Sequence, residues 1–138
     1  MSNIARSLMV AMLVVLLMFT GIATDATMSY YDSGSSSSPK IRHWDEVSWS
    51  SVSSAVSTGN NDNFHVLKAS PVKDEFILAV SDSSKDVNVQ VYNGSSWGNL
   101  VEVSIGINDA EQRGFDVAYE SLSGDAVIAY GDDPTDGM

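Results

Sequence analysis

"YNGSSWGNL" occupies Tyr92–Leu100, and 48 residues upstream stands "WDEVSWSSV", Trp44–Val52. Each runs aromatic, two turn-forming positions, two further residues, then Trp. Asn93-Gly94 is the strongest two-residue hairpin signal in the chain, because both central positions of a type I′ turn need positive φ. It predicts that Val87–Tyr92 and Trp97–Ile105 are antiparallel neighbours, and the earlier copy predicts a second hairpin of the same kind.

No stretch after Ile41 has helical periodicity. Short runs of β-branched and aromatic residues alternate instead with Asn, Asp, Gly and Ser clusters about every ten residues. The expected strands are Ile41–Trp44, Trp49–Val56, Phe64–Ala69, Glu75–Asp82, Val87–Tyr92, Trp97–Ile105, Phe115–Glu120 and Asp125–Asp132. "NFHVLKAS" (Asn63–Ser70) lies over "GFDVAYES" (Gly114–Ser121) at a spacing of 51, and "FILAVSD" over "AVIAYGD" at 50. A period near 50 made only of strands is the signature of a four-stranded propeller blade. Phe76–Val80 and Ala126–Tyr130 are apolar throughout, as expected for strands covered on both faces. "VNVQV" alternates, as expected nearer a solvated edge. Trp97 is expected to pack over its hairpin and against the following blade.

The pattern resembles the β-propeller-like repeats of secreted bacterial and archaeal surface proteins, in which "W-N-G-x-x-W" precedes "F-D-V-A-Y-E-x-x-S-G-x-A-x-x-x-Y". The matching residues are Tyr92, Asn93, Gly94 and Trp97, then Phe115–Glu120, Ser123, Gly124, Ala126 and Tyr130. The resemblance covers about residues 41–132 and implies an all-β, antiparallel, blade-like fold for the repeat region, residues 41–138. It says little about activity, since propellers host many functions. The strands amount to about two blade equivalents, whereas a closed propeller needs about four or more. The repeat region is therefore expected to be incomplete, belonging to a longer protein or to a ring of several chains. The "W-D-x-x-x-W" of Trp44–Trp49 is similar to small two-blade fucose-binding lectins, which implies the second arrangement, a homo-oligomer.

The first 26 residues have a different grammar. Arg6 precedes the uncharged run Ser7–Thr24, whose end carries small residues at Gly21 and Ala23, with Ala26 just beyond. This is the pattern of a secretory signal peptide, and its 18 residues also reach the lower end of a membrane anchor. Either predicts export, with an apolar N-terminal helix and an extracellular or cell-surface location. Residues 27–40, ending in the Ser-rich "DSGSSSSPK", read as a linker. After Ala26 stand six Lys or Arg and 17 Asp or Glu, so the net charge of −11 belongs to the exported part. That surface repels nucleic acid and anionic lipid, leaving the N-terminal segment as the only membrane contact. With no cysteine, disulfides are excluded.

Catalysis finds little support. The imidazoles are His43 and His65 alone, and neither G-x-S-x-G nor H-E-x-x-H occurs. "YNGSSW" resembles the tail of the sialidase Asp-box, but Tyr92 stands where that motif needs Asp. "NNDN" (Asn60–Asn63) and "DDPTDG" (Asp132–Gly137) gather the hard oxygens that Ca²⁺ prefers, without a complete ligand set in either. No cofactor is expected. Asn93-Gly94-Ser95 also matches the N-glycosylation sequon. The functional expectation is a non-catalytic adhesion or recognition scaffold whose partners are surface glycans or proteins. The alternative is a carbohydrate-binding lectin, with Trp44, Trp49 or Trp97 as stacking platforms and Arg42 as polar partner.

Overall fold

The computed structural model describes residues 26–32, 37–107 and 112–131. The apolar N-terminal segment and the Asp132–Gly137 loop lie outside the described residues. Those described contain nine strands and no helix. Strands β1 (Ala26–Tyr30), β2 (Lys40–Trp44) and β3 (Ser53–Ser54) form one sheet. A second holds β4 (Asp62–Ala69), β5 (Phe76–Asp82), β6 (Val87–Tyr92) and β7 (Trp97–Ser104) in sequence order, and β8 (Phe115–Tyr119) pairs with β9 (Ala126–Tyr130) in a third. The chain divides into two compact units. One contains His43–Ser50; the other contains Thr27–Arg42 and Ser51–Met138, including the whole four-stranded sheet.

The four-stranded sheet is a simple antiparallel meander, and its second strand explains its core. Successive side chains of a strand point to opposite faces. On β5, Ile77 and Ala79 join one buried cluster with Val66, Val87, Ile107, Phe115 and Val117. Leu78 and Val80 join another with Ile41 and Ala55, while Leu67 and Trp97 pack against it. One face of β5 is thus covered by the β8–β9 hairpin and the other by the β2–β3 sheet. Both faces being dry is why the run Phe76–Val80 is continuously apolar. Each fully buried aliphatic side chain contributes about 1.5–3 kcal/mol, so these two clusters dominate the stability of the larger unit.

Several expectations change. The Ala26–Tyr30 stretch is a strand, although the sequence reading placed 27–40 in a linker. Its "ATMSYYD" (Ala26–Asp32) stands 50 residues before "FILAVSD" (Phe76–Asp82) and 100 before "AVIAYGD" (Ala126–Asp132). Only the last two are apolar enough to show the repeat by composition. Pro39, at the end of the Ser-rich stretch, is buried, and its carbonyl accepts the Ala55 N–H at 2.9 Å. The strand expected over Trp49–Val56 narrows to the two residues of β3 and a single bridge between Trp44 and Trp49.

The polar side of β6 is not solvated. Asn88 and Gln90 are buried, and Gln90 clamps the Val56 backbone: Oε1 accepts its N–H at 2.7 Å and Nε2 donates to its carbonyl at 3.0 Å. Alternation in this strand therefore marks two different buried layers. Conversely, β9 is open. Val127 is 63% and Tyr130 43% exposed, so the two-sided cover expected for Ala126–Tyr130 is absent among the described residues.

Candidate functional site

The two Trp hairpins, Trp44–Trp49 and Tyr92–Trp97, have one geometry. Asp45 N–H donates to the Ser48 carbonyl at 3.2 Å, and Asn93 N–H donates to the Ser96 carbonyl at 3.2 Å. Asp45 Oδ1 accepts from Val47 N–H at 3.0 Å and Ser48 N–H at 2.7 Å. Asn93 Oδ1 accepts from Ser95 N–H at 3.1 Å and Ser96 N–H at 3.0 Å. Glu46 and Gly94, the residues that follow, carry φ of 74° and 87°. Each turn closes on a tilted aromatic pair. Trp44 and Trp49 centroids lie 5.6 Å apart at 55°, and Tyr92 and Trp97 centroids 5.5 Å apart at 47°.

The turn is not the two-residue type I′ that Asn93-Gly94 suggested. Tyr92 pairs with Trp97, leaving a loop of four residues in which Asn93 has no positive φ. The reason is local. A side-chain oxygen that captures the N–H groups two and three positions on makes the turn itself, so the backbone of Asn93 need not enter the left-handed region. Two further loops use the same device. Ser70 Oγ accepts from Val72 and Lys73, and Glu120 Oε2 accepts from Leu122 and Ser123.

Of the residues expected to bind ligand, two meet in one turn. Trp44 and Trp49 are brought together, with Trp49 at 38% exposure on the hairpin of the smaller unit. Asp45, at its tip, is held below the usual carboxylate range, first by the Ser48 N–H and then by the Val47 N–H. Arg42 is half-buried on β2 in the larger unit. Trp97 also belongs to that unit, half-buried over the cluster holding Ile41 and Ala55, so it packs toward the preceding sheet rather than the following one. Its Nε1 is buried without a hydrogen-bond partner among the described residues. That geometry suits a wedge more than a sugar platform.

Sequence reasoning missed a polar chain. Ser29 Oγ lies 2.7 Å from His65 Nδ1, and His65 Nε2 lies 3.4 Å from Asp62 Oδ2. The residue types are those of a nucleophilic triad, set here in buried surroundings. Asp62 and His65 are almost wholly buried, and Asp62 Oδ1 is bound to Thr58 Oγ1 at 2.9 Å. The repeat also supplies a structural equivalent. His65 pairs with Val80 and Phe115 with Tyr130, so the strand register sets the repeat here at 50 rather than the 51 of the sequence match. Ala79 and Phe115 thus occupy the positions of Ser29 and His65, and both lie in the apolar cluster. The Ser29–His65 contact is a polar version of the same intersheet packing position. A lone histidine gave no sequence signal for it.

The Asn60–Asn63 loop is engaged with its own surroundings. Asn61 carbonyl accepts from Ser83 N–H at 2.8 Å, and Asn60 Nδ2 lies 3.5 Å from Asp82 Oδ2. Among the described residues no three His, Asp or Glu side chains are placed to hold a metal ion.

No protein-family model, curated protein or solved structure matches this chain.

Proposed function

We propose that this chain is a non-catalytic extracellular β-repeat module, whose sheets are propeller blades and whose role is adhesion or recognition at a cell surface. The observation that carries the reading is the repeated use of one packing rule. Ile41 of the first sheet and Ala55, just after its last strand, meet Leu78 and Val80 of the second. Residues 48 positions later, Val89 and Val103, lie in the cluster that receives Val117, 50 positions after Leu67. Successive sheets stacked by equivalent faces build a scaffold from any number of copies, and aromatic turns recur along it. Surface glycans or proteins are the partners proposed, and the apolar N-terminal run is the means of export. Cell fractionation tests the location: recovery of the mature chain in the cytosol alone refutes it.

Trp49 favours a second reading, a carbohydrate-binding lectin assembled from several chains. An exposed indole beside a tilted neighbour offers a face for sugar stacking. A glycan array distinguishes the two. Sugar-specific binding that Trp49→Ala abolishes while the circular-dichroism spectrum is unchanged favours the lectin. Binding to a protein partner without glycan dependence favours the scaffold. Sedimentation of the same sample adds the assembly: a discrete ring-sized oligomer supports the multichain lectin, and a monomer counts against it.

A further inference from the structure

We propose that Asn93 is an acceptor site for an N-linked oligosaccharide, an inference that rests on the export reading. Asn93-Gly94-Ser95 is the only N-x-S/T triplet in the sequence. Asn93 and Ser95 are both exposed at the tip of the β6–β7 hairpin. The turn uses the asparagine side chain through one atom. Oδ1 accepts from the Ser95 and Ser96 N–H groups, while Nδ2 makes no hydrogen bond among the described residues. An amide has two donors to satisfy, and here both remain for solvent or for chemistry.

The equivalent turn shows that Nδ2 is dispensable to the fold. Asp45 has no amide, yet its Oδ1 gathers the same two backbone N–H groups at 3.0 and 2.7 Å. A substituent on Asn93 Nδ2 therefore leaves the turn's hydrogen bonds in place. The hairpin and the modification use opposite ends of one side chain and do not compete.

The reaction is a group transfer from a lipid-linked oligosaccharide pyrophosphate. Asn93 Nδ2 bonds to the anomeric carbon of the first sugar, and the bond from that carbon to the pyrophosphate oxygen breaks. The lipid pyrophosphate leaves, the nitrogen loses one proton to the transferase, and no redox change occurs.

The test supplies the purified full chain in detergent, folded, with an oligosaccharyltransferase and a lipid-linked donor. The expected result is a mass gain of one oligosaccharide per chain, mapped to the peptide containing Asn93. Asn93→Asp, which keeps the turn as Asp45 does, and Ser95→Ala, which keeps the Ser95 backbone N–H, each lose the gain. Unfolding midpoints show that both variants remain folded, and either one suffices. An unmodified wild-type chain overturns the proposal, as does a gain that survives Asn93→Asp. Because enzyme and donor are added to purified protein, the outcome is independent of export. A chain modified in the assay but found only in its host's cytosol refutes the export reading and leaves the acceptor chemistry standing.

Discussion

Gly124 has φ of +69°, and a Cβ built on it collides with Val72 Cγ2, with Ser70 Oγ 3.2 Å away. It lies where the loop after β8 meets the loop after β4, beside a hydrogen bond from Lys73 Nζ to its carbonyl at 3.1 Å. Tyr119 makes the neighbouring tie, its hydroxyl donating to Glu75 Oε1 at 3.0 Å. Burial first, and then Glu75, push the phenol above its ordinary range, so the tie stays protonated at all mild pH values. Glycine at 124 is required twice, for its backbone conformation and for its missing methyl group. Gly124→Ala is expected to destabilise the protein by about 1–3 kcal/mol in denaturant unfolding. Adding Val72→Ala relieves the collision but not the strain, so recovery should be partial. Full recovery would show that φ carries no cost there.

At the scale of elements, the two Trp turns share geometry but not chemistry, which makes them separable by pH. Asp45 is held below the ordinary carboxylate range by the N–H groups it accepts. A carboxyl with a depressed folded pKa contributes stability above its unfolded pKa and loses it as pH falls through the folded value. Asn93 does not titrate. Acidification below the usual carboxylate range should therefore shift the Val47 and Ser48 amide resonances while Ser95 and Ser96 stay still, as read by NMR. Equal movement of both pairs would contradict the shared role of the two side-chain oxygens. Replacing Asn93 by Ala should cost about 1 kcal/mol, whereas Asn93→Asp should be nearly neutral.

The intersheet contact of Ser29 with His65 belongs to the same scale. Its counterpart, Ala79 with Phe115, is apolar and buried. Removing one polar partner leaves the other unsatisfied, at about 1–3 kcal/mol. Ser29→Ala and His65→Phe should each destabilise, and the pair together should recover most of the loss in a double-mutant cycle. A strictly additive double mutant would mean that the repeat equivalence does not extend to packing.

For the molecule as a whole, a position's worth depends on what covers it. Ile77 and Val127 occupy the same place in successive repeats, yet Ile77 is 5% and Val127 63% exposed. Thermal unfolding of this chain should show Ile77→Ala costing about 2–5 kcal/mol, and Val127→Ala within about 0.5 kcal/mol. A large effect at Val127 would mean that another surface covers β9 in solution.

The strand set was legible because its signals are local. Period-two patterning, the apolar run Phe76–Val80 and polar punctuation fix strands and turns within the reach of neighbouring side chains. Strands β4 to β9 lie within two residues of their expected limits. The spacing of the Trp turns was equally legible. Three things needed the tertiary structure. Strand β1 was hidden because Ser29 and Tyr30 stand where later copies carry Ala79 and Val80, and its polar face is satisfied by His65 from another sheet. Buried Asn88 and Gln90 read as a solvated edge because their partners, Asp82 and the Val56 backbone, are distant in sequence or invisible to composition. The three tryptophans Trp44, Trp49 and Trp97 are indistinguishable by residue type. Only packing separates the exposed Trp44–Trp49 hairpin from the Trp97 wedge, since burial is a property of what approaches a side chain and not of the side chain itself.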